Sequence, residues 1–148
     1  MEARELAKLL SKLEVEAAPF WLETGIPPSL LETRAGHIVA EVVIAAKLAA
    51  AAGCDPGKVV AVAVGGELGG EAAELGALAE EYRAAASREA VLARLAHELA
   101  VVLQAKRYAR MGFDVEGVLR EHVARALDEA SKVESADALQ LVHGLLSA

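Results

Sequence analysis

The stretch PGKVVAVAVGGELGG, residues 56–70, decides the fold of this chain because two different elements are compatible with it. Its valines, between Val59 and Val64, have the β-branched character of a buried strand. Every flanking segment shows a helical pattern, so a strand here would have no partner. We therefore predict a buried helix from about Pro56 to Val64 or slightly beyond, and with it an all-α fold.

The segments on either side of this stretch have the spacing and the end signals of helices. Leucines recur at helical spacing in residues 2–15, and glycines follow two other long apolar segments. Proline-rich residues 16–30 predict a connector, which we expect to fold back over the core because it carries Trp21. The predicted helices are 2–15, 31–52, 56–64, 71–87 with a break near Gly76, 87–112 capped by Ser87, 114–133 capped by Asp114, and 135–146 capped by Ser135.

Length and composition limit the number of domains and the kinds of partner that we expect. A chain of 148 residues is long enough for one domain with its own core, and we expect a single domain over residues 1–148. The net charge of −7 argues against nucleic-acid binding, which needs a positive surface. The single cysteine, Cys54, fits a reducing cytoplasm. The absence of asparagine, with much glutamate and arginine, is typical of thermophile proteins.

The most apolar segment, residues 37–53, carries Glu41 and Lys47. A membrane-spanning helix needs about 20 mostly apolar residues, and two charges inside this one argue against a span. The amino terminus lacks the pattern of a signal peptide. We therefore expect a cytoplasmic protein that does not bind membranes.

The four glycines at positions 65, 66, 69 and 70 do not form a nucleotide-binding motif. With Gly65 as the first position, the third is Glu67, so the dinucleotide pattern G-x-G-x-x-G fails, and no Lys-Ser/Thr pair follows to make a P-loop. The other interpretation is that these glycines let two helices pack closely or let the chain turn.

Two histidines stand in apolar helical contexts. His37 and Glu41 lie one turn apart and so share a helix face, and His97 lies in the middle of the clearest predicted helix. Such histidines are usually half-buried residues with one hydrogen bond. His122 and His143 have polar neighbours and are expected at the surface.

The segments FWLETGIPPSLLETRAGHIVAEVVIAAKLA (residues 20–49) and AHELAVVLQAKRYARMGFD (residues 96–114) together resemble the HD-domain family. These proteins are metal-dependent phosphohydrolases, and the small 5'-deoxynucleotidase-like type is the most similar. The resemblance spans about residues 21–114 and has the family's order of motifs. It implies a helical bundle of about six to seven helices, a divalent metal ion and a homodimer.

The resemblance also places the family's functional positions on this chain. The first metal-binding histidine falls on His37, the His-Asp pair on Gly66 and Glu67, and the last aspartate on His97. The acidic residue that serves the chemistry falls on Gly70, which leaves Glu71, one position later, as the candidate catalytic residue. The family's phosphate-binding arginine is absent from residues 18–20. A slip of one residue would place the pair on Gly65 and Gly66 instead.

Two main functions follow from this resemblance. The first is a degenerate HD-domain protein with lost or strongly reduced hydrolase activity, which binds a partner or a small phosphate-containing ligand. The alternative is a phosphohydrolase acting on nucleoside monophosphates or similar phosphoesters. It would use a rearranged metal site of His37, Glu67 and His97 that suits Zn, Mn, Co, Fe or Ni. A third hypothesis is a structural subunit that oligomerises through its alanine-rich helix faces.

Overall fold

The computed structural model describes all 148 residues, and every regular element in it is helical. The only extended pairing is an isolated antiparallel bridge between Ala17 and Thr33. The seven α-helices are α1 (Ala3–Val15), α2 (Arg34–Ala52), α3 (Pro56–Leu68), α4 (Gly76–Ala84), α5 (Arg88–Arg110), α6 (Glu116–Ala130) and α7 (Ala136–Ser147), with short 3-10 turns at Pro19–Trp21, Pro28–Leu30 and Ala73–Leu75. The predicted all-α fold of six to seven helices is confirmed.

Helix α5 lies at the centre of the molecule and packs against α2, α3, α4, α6 and α7. Its interior side is almost entirely alanine, leucine and valine, which are good helix formers or fill a core without polar atoms. The main core joins α5 to α2, α3, α6 and α7. A smaller core forms where the connector folds back. Trp21 is only 1% exposed and packs against Tyr108 of α5, so the connector folds over the core as predicted.

Most predicted helix ends are confirmed by capping contacts. Ser87 and Ser135 accept hydrogen bonds from the backbone of the first turns of α5 and α7, and Gly53 adopts the left-handed conformation after α2. Helix α2 begins at Arg34 rather than at residue 31, because the preceding residues form a 3-10 turn and Thr33 provides the cap. The prediction that Asp114 caps α6 is confirmed only in part: Val115 occupies the cap position, but the Asp114 carboxylate accepts a hydrogen bond from the backbone N–H of Glu116 at 3.3 Å.

Helix α2 is the one helix of this chain that is long and apolar enough to cross a membrane by length and composition alone, in spite of Glu41 and Lys47. In the fold it packs against α1, α3, α5 and α7. Lys47 lies on its exposed side, whereas Glu41 is fully buried. The apolar character of α2 therefore contributes to the helical core.

Three of the four glycines in residues 65–70 are packing glycines, namely Gly65, Gly66 and Gly69. Helix α3 continues to Leu68, beyond the predicted end near Val64, and lies directly against α4. A Cβ on Gly65 would lie 2.5 Å from the Cβ of Leu78, one on Gly66 would lie 2.7 Å from the ring of Tyr82, and one on Gly69 would lie 2.2 Å from the Cβ of Ala79. Only a residue without a Cβ allows the two helices to approach this closely.

Gly65→Ala is expected to lower the free energy of unfolding by about 1–3 kcal/mol, because overpacking a close helix contact forces the backbone apart. The matched control is Gly144→Ala in α7, where a Cβ meets nothing within 4 Å. That change removes a helix-interior glycine without a clash and should stabilise by about 0.5–1 kcal/mol. Denaturant unfolding of both variants measures the difference, and equal effects would contradict the packing role of Gly65.

Candidate metal centre

Four ionisable side chains from three helices meet inside the bundle. His37 lies in the first turn of α2 and Glu41 one turn later on the same face. Glu67 lies near the end of α3, and His97 lies at the middle of α5. Because α2, α3 and α5 pack against one another, these side chains converge on one point. Each offers one ligand atom, and all four atoms lie within 4.8 Å of one another.

The separations between the ligand atoms lie near those of a coordination shell. Glu67 Oε1 lies 2.8 Å from His97 Nδ1 and 3.2 Å from His37 Nε2, and the two imidazole nitrogens are 3.2 Å apart. Glu41 Oε2 lies 3.4 Å from His37 Nε2 and 3.8 Å from His97 Nδ1. Ligands bound tetrahedrally at about 2.0–2.2 Å from a Zn²⁺ ion are about 3.3–3.6 Å apart. The cluster is therefore close to the size that one ion requires.

Some buried polar atoms of the cluster have no hydrogen-bond partner in the protein. Both carboxylate oxygens of Glu41 and the Nδ1 atom of His37 are buried without a hydrogen-bond partner. Buried polar atoms normally have one, and a buried carboxylate without one is costly. The 3.4 Å contact with His37 brings opposite charges together but lacks hydrogen-bond geometry. A cation between the four side chains would balance the two carboxylates.

The charges of the cluster depend strongly on one another. Burial alone lowers the pKa of His37, but its contacts with Glu41 and Glu67 outweigh burial and raise that pKa to about 9. The same balance raises the pKa of His97 to about 10. Burial dominates at Glu41 and raises its pKa, whereas the two imidazoles overcome the effect of burial at Glu67 and lower its pKa. Without a metal ion, both imidazoles thus tend to hold protons that an ion would displace.

Aromatic side chains enclose the cluster. The ring of Phe20, from the 3-10 turn of the connector, packs on His37 and His97 with centroid distances of 4.9 Å and 5.4 Å. The ring of Tyr82, from α4, lies against Gly66 beside Glu67. His37 and Glu41 have side-chain exposures of 2% and 1%, whereas His97 and Glu67 keep 18% and 19%. The cluster is closed on the α2 side and partly open on the side of α3 and α5.

A second His–Glu pair lies beside this cluster. His122 Nδ1 is 2.5 Å from Glu98 Oε2, and the ring of His122 packs against Phe20 at 5.6 Å. The prediction of a surface position for His122 was wrong, since this residue is only 5% exposed. His122 lies four residues before Ala126 and so shares its helix face, which the structure shows to be buried. His143 is exposed, as expected.

The structure thus brings together His37, Glu67 and His97, the three metal-ligand candidates of the sequence analysis, and adds Glu41. Glu41 shares the helix face of His37, but the resemblance assigned it no function. No protein-family model, no curated protein and no solved structure matches this chain. The interpretation of the site therefore rests on the geometry of these four side chains.

Glu71, the candidate catalytic residue, does not join the cluster. Its carboxylate binds Arg34 of α2, with a shortest distance of 2.5 Å, and Lys12 of α1 at 3.0 Å. The hydrogen bond from Arg34, followed by that from Lys12, lowers the pKa of Glu71 to about 2. Glu71 therefore joins α1 and α2 to the segment after α3.

Glu71→Gln is expected to lower the free energy of unfolding by only about 1 kcal/mol, because exposed ion pairs contribute little. Since the folded pKa of Glu71 lies below the ordinary value of 4.5, this contribution is present above about pH 4.5 and is lost as the pH falls towards 2. Unfolding curves at pH 7 and near pH 3 measure it. A change in metal content in this variant would instead place Glu71 in the functional site.

Proposed function

We propose that this chain is a metal-binding protein that holds one divalent transition-metal ion between His37, Glu41, Glu67 and His97. The observation that carries the proposal is the convergence of four ligand atoms from α2, α3 and α5 within 4.8 Å. Two imidazoles and two carboxylates suit Zn²⁺ best, with Fe²⁺, Co²⁺, Ni²⁺ and Mn²⁺ as weaker or competing choices. When bound, the ion would supply a positive charge that neutralises the carboxylates and joins the three helices.

We further propose that the protein does not hydrolyse phosphoesters. Four protein ligands complete a tetrahedral shell, as in structural zinc sites, whereas catalytic sites keep a position for water. No lysine or arginine is among the ion-pair partners of the four cluster residues. Arg34 and Arg94 form ion pairs elsewhere, Arg34 with Glu71 and Arg94 with Glu129. A phosphoryl group would thus find no cation paired with the cluster to orient it.

The order of the ligands along the chain supports a divergent HD-domain origin. His37 on α2, Glu67 on α3 and His97 on α5 are the positions that the resemblance assigned to the family's metal ligands. The residue aligned with the family's second histidine is Gly66, where Tyr82 leaves no room for a side chain. Glu41, one turn after His37, would supply the missing ligand. This exchange would preserve a metal ion while changing its surroundings.

Phosphohydrolase activity is the second candidate function, and one observation favours it. His97 and Glu67 keep 18% and 19% of their side chains exposed, so an external ligand could approach the ion from that side. In that case Glu41 would have to leave the shell or the ion would take a fifth ligand. The two functions differ in whether phosphate is released.

A calorimetric titration with Zn²⁺, followed by a phosphate-release assay, tests the proposal. We expect one Zn²⁺ site per chain, and no phosphate release from a panel of nucleoside monophosphates with Zn²⁺, Mn²⁺ or Co²⁺. His37→Ala should abolish the binding. Metal-dependent phosphate release that disappears in His37→Ala would establish the hydrolase instead. An absence of binding by the wild type would refute both.

A further inference from the structure

The ring of Phe20 stands between the metal centre and a surface cleft. On one side it packs on the imidazoles of His37 and His97, and on another it meets that of His122. The same residue lines a cleft of about 630 Å³ between the connector and the start of α6. Phe20 is therefore the residue that both contacts the two imidazole ligands and lines the cleft.

The backbone that carries Phe20 is fixed by its neighbour. Trp21 is 1% exposed, packs edge-on against Tyr108 at 5.0 Å, and donates its indole N–H to Glu32 at 3.1 Å. The half-buried ring of Phe20 makes no hydrogen bond and is held only by packing on Trp21 and on the three imidazoles. A turn of this side chain towards the cleft would uncover the two imidazole ligands and leave the anchored Trp21 in place.

The charges of the cleft indicate which ligands it admits. Its ionisable lining residues are Glu23, Asp114 and Glu121, and no lysine or arginine lines it. Only Glu121 has an ion-pair partner, Arg125. Anions such as phosphates are repelled by the two uncompensated carboxylates, whereas neutral or positively charged molecules are not.

We propose that Phe20 is a plug between the metal centre and this cleft, and that the space of its ring is the binding position for a small neutral nitrogen donor, an amine or an imidazole, that coordinates the ion as a fifth ligand once the ring has left. This inference rests on the proposed metal centre. Imidazole and amine nitrogens are good ligands for Zn²⁺ and Co²⁺. The imidazole of His122 also borders the position, with its centroid 5.6 Å from that of the Phe20 ring.

Cobalt loading tests the inference, because four-coordinate Co²⁺ absorbs visible light strongly and loses intensity when a fifth ligand binds. The wild type, Phe20→Ala and the control Leu22→Ala are each loaded with Co²⁺ and titrated with imidazole and with inorganic phosphate. Leu22 lines the same cleft but is 66% exposed and does not belong to the smaller core around Trp21, against which Phe20 packs. Phe20→Leu serves as a second, better-packed variant, and circular dichroism checks that each variant is folded.

We expect Phe20→Ala to bind imidazole at least about tenfold more tightly than the wild type, a difference of about 1.4 kcal/mol. Phe20→Leu should be intermediate, Leu22→Ala should behave as the wild type, and phosphate should bind weakly to all. Equal imidazole affinities in a wild type that binds Co²⁺ would overturn the plug while leaving the metal centre intact. Phosphate binding as tight as that of imidazole would overturn the ligand class. Failure of the wild type to bind Co²⁺ would overturn the metal centre and the plug together.

Discussion

Glu41→Gln is expected to lower the affinity for Zn²⁺ by at least about 100-fold. Removing a residue that only hydrogen-bonds to a ligand costs up to about 100-fold in metal affinity, and removing a ligand itself should cost at least as much. Glu41 is the candidate ligand that the structure adds to His37, Glu67 and His97, and its Oε2 atom lies 3.4 Å and 3.8 Å from the two imidazole nitrogens. An amide keeps the shape of the carboxylate but carries no charge, and it is a far poorer ligand for a transition metal. Calorimetric titration of both proteins measures the loss.

The same substitution should leave the stability of the metal-free protein nearly unchanged. Glu41 is fully buried, and both of its oxygens lack a hydrogen-bond partner, so the native fold disfavours its charged form. A glutamine removes that buried charge and the repulsion from Glu67, but it also removes a contact that raises the pKa of His37 and of His97. Because these two effects oppose each other, we expect the free energy of unfolding to change little when no metal is present.

Glu129→Gln is the matched control for Glu41→Gln. Glu129 is also buried, at 5% exposure, but it pairs with Arg94 outside the cluster. Its replacement should destabilise the fold, because it leaves Arg94 without its partner, and it should keep the affinity for Zn²⁺. Equal metal affinity in Glu41→Gln and the wild type would contradict the role of Glu41 as a ligand.

Saturating Zn²⁺ is expected to raise the unfolding midpoint by about 10 °C near neutral pH. A ligand at 1,000 times its dissociation constant stabilises the native state by about 4.1 kcal/mol, and each kcal/mol is worth about 2–4 °C in a chain of this size. The ion connects α2, α3 and α5, which the unfolded chain cannot bring together. Thermal unfolding followed by the fluorescence of Trp21 measures the shift.

This stabilisation should grow as the pH rises. In the metal-free protein the pKa values of His37 and His97, about 9 and about 10, lie above the ordinary value of 6.5. Their contribution to stability is complete below about pH 6.5 and is lost as the pH rises through the folded pKa values. The metal-bound protein holds both imidazoles neutral and escapes that loss. Between about pH 6.5 and pH 8.5 the Zn²⁺-induced shift should therefore increase, at a fixed free concentration of Zn²⁺. A shift that decreases over this range would contradict the assignment of both histidines as ligands.

The sequence predicted the fold well where local chemistry decides it. Ser87 and Ser135 are recognisable caps, and the valine-rich segment before Gly65 is helical because no strand exists for it to pair with. The close contact of α3 with α4 was one of two interpretations of the glycines. What could not be predicted was which side chains stand opposite Gly65 and Gly66, since Leu78 and Tyr82 come from another helix.

The site was predictable only in part. The resemblance placed His37, Glu67 and His97 at the positions of the HD-domain family's metal ligands, and these three side chains lie together in the structure. The spacing of Glu41 after His37 was visible in the sequence, but burial without a hydrogen-bond partner, which distinguishes it from an ordinary core glutamate, is a tertiary property. Phe20 is likewise brought to the three imidazoles by the connector, whose path depends on the burial of Trp21.

Elemental analysis of the purified chain tests the central claim most directly. The wild type, His37→Ala and His97→Ala are incubated with Zn²⁺, desalted and compared under identical conditions, with circular dichroism to show that the variants are folded. We predict one Zn²⁺ ion per wild-type chain and almost none in either variant. Wild-type protein that retains no metal, or variants that retain as much as the wild type, would contradict a metal centre at His37, Glu41, Glu67 and His97.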